Sequence, residues 1–141
     1  MSVPPRSAAR LANLNLFGTD LARLCSFYAG LFGFAEITAR RTTIYRVLDA
    51  GGVELGFNAA AVRGLLGFAD RQSQGRAPVT AYPTFDVAHA DDVNALAQRA
   101  VALGGTLVKQ AYRTHYGTWQ VVLADPEENI FRIQCHTPHA A

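Results

Sequence analysis

The sequence predicts an α+β fold of two tandem βαβββ modules, with curled mixed sheets around a central cleft and the helices outside. Three observations predict it. Hydrophobic spacing switches from two-residue to three- and four-residue steps, in the same order, twice along the chain. One offset of 71 relates both strand–helix units: Asn13 to Thr84, Asp20 to Asp91, and Gly33 to Gly104. Between the two copies the pattern breaks in a polar stretch rich in turn formers.

Module one covers about 11–58, after an irregular arm "PPRSAAR" at 4–10. In "LANLNLF" (11–17), Leu14 and Leu16 share one face, and Asn13, Asn15 and Phe17 the other, which predicts a half-buried strand. In 18–33 the apolar residues Leu21, Leu24, Phe27/Tyr28 and Leu31 recur at helical steps. Thr19 or Asp20 caps that helix, and Gly33 stops it. "FAEITAR" (34–40) and "TTIYRVLDA" (42–50) read as strands, Gly51-Gly52 as a turn, and "VELGFN" (53–58) as a further strand. Residues 59–79 open with a possible short helix and continue as a linker, "DRQSQGRAP".

Module two covers about 81–136. "AYPTFDVA" (81–88) is a strand; 91–105 is a helix, with Asp91 as N-cap and Gly104 as terminator. Strands follow at 106–112, 118–124 and 129–135. The offset grows late in the module, and the sequence attributes this to a longer loop, "YRTHYG". Leu14, Leu16, Val53, Leu55, Phe85, Val87, Phe131 and Ile133 make the helix-facing sides. Asn13, Asn15, Glu54, Asn58, Thr84, Asp86, Arg132 and Gln134 make the opposite faces.

Composition narrows the function. The chain has 141 residues, half of them apolar, and a formal charge of +2. No basic run exceeds Arg40-Arg41, which argues against nucleic acid. No apolar stretch has membrane-spanning length and no signal peptide is visible, so a cytoplasmic protein without membrane contact is expected. Cys25 and Cys135 are far apart at apolar positions and read as buried free thiols. Tyr45 and Trp119 can form aromatic walls of a ligand pocket, and His115 sits in a loop where it can reach a pocket mouth. His89, His136 and His139 show no ligand-like spacing.

"DLARLCSFYAGLFGF", "VELGFN", "ALGGTL" and "YGTWQVVLADPEENIFRI", in that order, resemble the glyoxalase/bleomycin-resistance/extradiol-dioxygenase (vicinal oxygen chelate) superfamily. The resemblance implies one ligand-bearing position on the first and last strand of each module. These fall on Asn13, Glu54, Thr84 and Arg132. It implies that they converge, so that Glu54 and Arg132 meet as an ion pair or around a ligand. It also implies a homodimer. Arg supplies only N–H donors and a permanent positive charge, which repels a divalent ion. The expectation is therefore a metal-free binder of a neutral or anionic aromatic small molecule, with no cofactor. Its site residues are Asn13, Asn15, Glu54, Thr84, Arg132, Gln134, Tyr45, His115 and Trp119. The alternative is an enzyme: a metal-dependent lyase or dioxygenase, or a metal-free isomerase or cyclase with Glu54 as base. Glu128 stands where the superfamily usually has glycine, and it fits if Asn129 takes the left-handed conformation.

Overall fold

In the computed structural model, residues 9–71 and 77–136 are described. Most of the N-terminal arm, the middle of the linker and His139 lie outside the described residues. Module one is β1 (Asn13–Phe17), α1 (Leu21–Phe32), β2 (Ala35–Glu36), β3 (Tyr45–Asp49) and β4 (Glu54–Asn58). A short α2 (Ala61–Leu65) begins the linker. Module two is β5 (Thr84–Asp86), α3 (Ala90–Ala102), β6 (Thr106–Arg113), β7 (Thr118–Ala124) and β8 (Ile130–His136). The sheets run β1-β4-β3-β2 and β5-β8-β7-β6, the same order in each module. The first strand lies parallel to the last, and the other pairs are antiparallel. The duplicated α+β architecture is thus the observed one.

Apolar periodicity drives this arrangement. Leu24, Phe27, Tyr28 and Leu31 from α1 bury against Leu55, Phe57, Phe131 and Ile133, and Val93 and Ala100 of α3 join the same core. Tyr28 sits at its centre, with ring centroids 5.6 Å from Phe57 and 5.4 Å from Phe131. Burying one such aromatic stabilises the fold by roughly 2–3 kcal/mol. Its hydroxyl donates to Asp125 Oδ2 at 2.8 Å, so a polar link between the modules crosses the core. Both cysteines are buried free thiols. Burial pushes the Cys25 thiol up to about 11, with the Glu36 carboxylate adding to the effect.

Four local expectations need correction. The strand over 34–40 shrinks to two residues and gives way to a 3₁₀ turn at Thr38–Arg40. Arg41 turns back to a bidentate pair with Glu36 (2.7 and 2.8 Å), and Arg40 turns to Glu54. Asp20 caps α1 as expected, accepting from the Arg23 N–H at 3.1 Å. Asp91 does not cap α3: the helix starts at Ala90, His89 holds the cap position, and Asp91 sits in the first turn. There its carboxylate still faces the positive end of the helix.

Glu128 itself takes the left-handed conformation (φ 67°), not Asn129. Asn129 is held instead by its N–H on Asp125 Oδ1 (3.0 Å) and its amide on the Phe17 carbonyl (3.3 Å). Finally, the extra length of module two is mostly not in "YRTHYG". Glu54 pairs with Asn13 and Asp49, and Arg132 pairs with Thr84 and Val122. The offset is therefore 73 at Asp49/Val122 and 78 at Glu54/Arg132, so most of the growth falls in the β7–β8 hairpin around "DPEEN".

That hairpin ties the modules together. The Glu127 carboxylate accepts from the Thr19 N–H (2.8 Å), the Asp20 N–H (2.7 Å) and the Thr19 hydroxyl (3.0 Å), which closes the start of α1. Four N-terminal N–H groups of any helix lack partners within it, and an anion there is favoured by the helix dipole. At the far side of the second sheet, β6 is an edge strand with irregular register against β7 and leaves Leu107 and Val108 exposed.

Candidate functional site

Strand alternation puts Asn13, Asn15, Glu54 and Tyr45 on the polar face of sheet one, as the register Asn13↔Glu54, Asn15↔Gly56 and Tyr45↔Asn58 requires. Asn15 is the hub: its amide donates to Asn13 Oδ1 (2.9 Å), and its carbonyl accepts from Asn58 Nδ2 (3.0 Å). Gly56 lies beneath. A Cβ there would meet Asn15 Oδ1 and come within 3.0 Å of the Tyr45 hydroxyl, so only glycine lets these side chains cross the strand. Glu54 is bound by Arg40 through both carboxylate oxygens. That pair holds the Glu54 carboxyl below its usual range.

On sheet two, Thr84 and Arg132 are register partners, as are Asp86 and Gln134. Arg132 extends across the face. Its Nε donates to Thr84 Oγ1 (3.2 Å), and its Nη1 donates to the Tyr116 hydroxyl and to Gln120 Oε1, both at 3.1 Å. The Tyr82 ring lies 5.4 Å from the guanidinium carbon. Gln120 is buried and braced: its amide donates to the Tyr112 hydroxyl (2.6 Å), while its carbonyl also accepts from Thr118 Oγ1 (3.2 Å). Every acceptor around Arg132 is thus a neutral oxygen. Arg132 forms no ion pair among the described residues, which hold all eleven acidic side chains.

The ion pair between Glu54 and Arg132 expected from the sequence is therefore not formed. Each lies on its own sheet with its own partners, because the turn over 38–40 delivers a nearer cation to Glu54. Gln134 donates to Asp86 Oδ1 (2.8 Å). His115 is exposed in the β6–β7 turn, its ring 5.1 Å from that of Tyr116. Trp119 faces the helix side, not the cleft: its indole N–H donates to Asn94 of α3 at 2.9 Å. Its strand alternates Trp119, Val121, Leu123 toward the core, which the pairing with Cys135, Ile133 and Phe131 fixes. Gln120 is a further candidate on this face that the sequence reading did not include. Its signal was available, since it shares a strand face with Arg132 once Trp119 is placed inward.

The positions that the superfamily resemblance assigns to a metal do not form a fitting donor set. Asn13 Oδ1 is already an acceptor, both Glu54 oxygens are held by Arg40, the Thr84 oxygen accepts from Arg132, and Arg132 can only donate. No cluster of three His, Cys, Asp or Glu suited to a metal occurs among the described residues.

Between the modules lies a cavity of about 800 Å³. Leu14 and Phe85, equivalent in the repeat, both line it, with Phe32, Phe34, Leu55 and Leu96. Glu54, Thr84, Asp86 and Tyr82 also border it. An apolar space of this size with few polar groups suits a small organic ligand. No helix among the described residues is long and apolar enough to cross a membrane.

A family model for a glyoxalase-like domain matches residues 14–134. Among solved structures, a glyoxalase/bleomycin resistance protein/dioxygenase family enzyme from Burkholderia phytofirmans PsJN is 37% identical. The match covers 92% of this chain and 100% of that one, with a TM-score of 0.87. A glyoxalase-related enzyme from Fulvimarina pelagi is 24% identical over 89% of this chain and 87% of that chain, with a TM-score of 0.76. A lactoylglutathione lyase from Agrobacterium tumefaciens is 20% identical over 93% and 95%, with a TM-score of 0.66, and shares the fold. No curated protein matches the chain by sequence.

Proposed function

The chain belongs to the glyoxalase-like family within the glyoxalase/bleomycin-resistance/dioxygenase superfamily, and from that premise we propose that it is a metal-free binding protein for small aromatic acids. One observation carries the reading. Arg132 is a fixed cation at a position where the superfamily resemblance implies a metal ligand, and neutral oxygens alone surround it. A charge-assisted hydrogen bond to a carboxylate or enolate is stronger than the neutral ones it makes. Thr84 links this cation to the apolar cavity, which would take the aromatic body. The Tyr82 ring adds a flat surface beside the guanidinium.

Similarity to a lactoylglutathione lyase keeps an enzyme in view. For that reading Glu54 would have to act as base, yet Arg40 holds its carboxyl below the usual range, which weakens it as a proton acceptor. We also propose a homodimer, because β6 leaves Leu107 and Val108 exposed along a sheet edge. Sedimentation at a mass near 15.2 kDa would overturn that proposal.

The test of the binding reading is a titration with 2-naphthoate, followed by calorimetry, on the wild type and on Arg132→Gln. The expected result is binding weakened by about tenfold or more, as for the loss of a charged hydrogen bond. Equal affinity in the two proteins refutes the reading. So does stoichiometric zinc, nickel, manganese or iron in protein purified without chelators, lost on Glu54→Gln.

A further inference from the structure

A second cavity, of about 600 Å³, opens where β1 ends and the chain from 77 to 83 approaches β5. Leu16, Phe17, Phe68 and Tyr82 supply its apolar and aromatic walls, and Arg63 and Arg71 bring two positive charges to it. Arg63 lies over Phe17, its guanidinium carbon 3.9 Å from the ring centroid, and Phe68 meets the same ring edge-on at 6.0 Å. That contact fixes the cation in place without using its N–H donors. Neither guanidinium has an ion pair or a hydrogen-bond acceptor among the described residues. Several other arginines differ: Arg40, Arg41 and Arg46 pair with carboxylates, Arg10 and Arg99 donate to the Gly52 and Gly30 carbonyls, and Arg132 donates to Thr84, Tyr116 and Gln120.

Two guanidiniums at one aromatic-walled cavity make it favourable to an anion. The planar fork of arginine matches an oxyacid, and the walls match a ring. The Asn15 and Asn129 amides, which also border the cavity, are already engaged with Asn13 and with Asp125 and the Phe17 carbonyl. The two arginines are therefore the groups left to hold a ligand's charge. We propose that this cavity is a second ligand site, distinct from the Arg132 face, and that it takes small aromatic acids through Arg63 and Arg71. Tyr82 borders this cavity and also lies against Arg132, so it is the shared wall of the two sites.

The experiment is an amide NMR titration of the full chain with 2-naphthoate and, separately, with the uncharged 2-naphthamide. The expected result is saturable shifts at Phe17, Phe68 and Thr80 with the acid. The variant Arg63→Gln/Arg71→Gln should weaken the acid at those amides by about tenfold or more and leave the amide ligand within about twofold. Arg71→Gln alone removes an exposed charge with little risk to folding, and it should weaken the acid by about threefold or more. Arg132→Gln should leave the shifts at these three amides within about twofold of the wild type. Four outcomes overturn the proposal: no saturable shifts there, equal binding of acid and amide, no effect of the double substitution, or loss of these shifts in Arg132→Gln. The last would make the two cavities one site. Failure of the Arg132 reading, by contrast, would leave the shifts at Phe17, Phe68 and Thr80 untouched.

Discussion

The last strand of each module carries a charged residue at the same place in the repeat, and the two meet opposite fates. Glu54 in module one is gripped by Arg40 from the neighbouring turn. Arg132 in module two is surrounded by oxygens that carry no charge. The difference lies in the connections. Module one joins β2 to β3 through a 3₁₀ turn that ends on two arginines. Module two replaces it with a tight β6–β7 turn carrying His115, Tyr116 and no acid. A duplicated fold can thus silence one polar face and leave the other available simply by what its loops deliver.

The sharpest break in that symmetry should come from the aspartates that open the two hairpins. Asp125 is buried and accepts from the Tyr28 hydroxyl and from the Glu127 and Asn129 N–H groups. Asp49 is exposed and accepts from the Gly51 N–H. Asp125→Ala strands several buried donors and should cost about 3 kcal/mol or more. Asp49→Ala should stay within about 0.5 kcal/mol. Urea unfolding of both variants measures the contrast, and equal losses would contradict the asymmetric tie between modules.

Next in size is Gly56→Ala. The new methyl displaces Asn15 and Tyr45 from the face of sheet one, at a cost of about 1–3 kcal/mol by thermal unfolding. If the variant is as stable as the wild type, the crossing of those side chains over Gly56 is not a tight fit.

The effect of pH separates the faces further. Hydrogen bonds from Arg41 and Arg40 hold Glu36 and Glu54 below the ordinary value of 4.5. Their stabilisation is present above that value and is lost as pH falls through the lowered folded values. Asp125 works in the other direction. Burial raises its carboxyl above 3.8 despite its hydrogen bonds, so protonation favours the folded state and its contribution grows as pH falls. In Glu36→Gln/Glu54→Gln, the melting temperature should trail the wild type near pH 6, and the gap should close as pH falls through the lowered folded values. A gap that widens toward acid reverses the assignment.

The smallest effect on stability is expected at Arg40→Gln, because its side chain is exposed and surface pairs contribute little. Its informative readout is elsewhere: the Glu54 carboxyl, followed by NMR titration, should rise toward its ordinary value. A value that stays low would mean that another cation holds it.

Much of this molecule was legible in the chain itself, and the reason is periodicity. Leu21, Leu24, Tyr28 and Leu31 could sit on nothing but a helix face, and the repeat of 71 carried the second module with it. Asp20 was readable as a cap because its acceptor acts within three residues. Asp91 was misread by the same logic, since a repeat transfers pattern and not the start of a helix. What the chain hid were partners set by loop geometry. Arg40 looked like part of a strand, so its grip on Glu54 was invisible, and Glu54 was assigned to Arg132 instead. Trp119 looked like a cleft wall because alternation alone does not say which side meets α3. Gln120, whose carbonyl gathers three donors, went unread because its importance arises from neighbours on three elements.

The carboxylate of Glu127 has one more consequence, for the order of events during synthesis. It closes the start of α1 from 108 positions further along the chain. When a ribosome has released module one, that carboxylate does not yet exist, and the first turn of the helix has only Asp20 to hold it. That contact can form only after the β7–β8 hairpin has emerged and reached its distant partner. The first half is therefore made first and finished last.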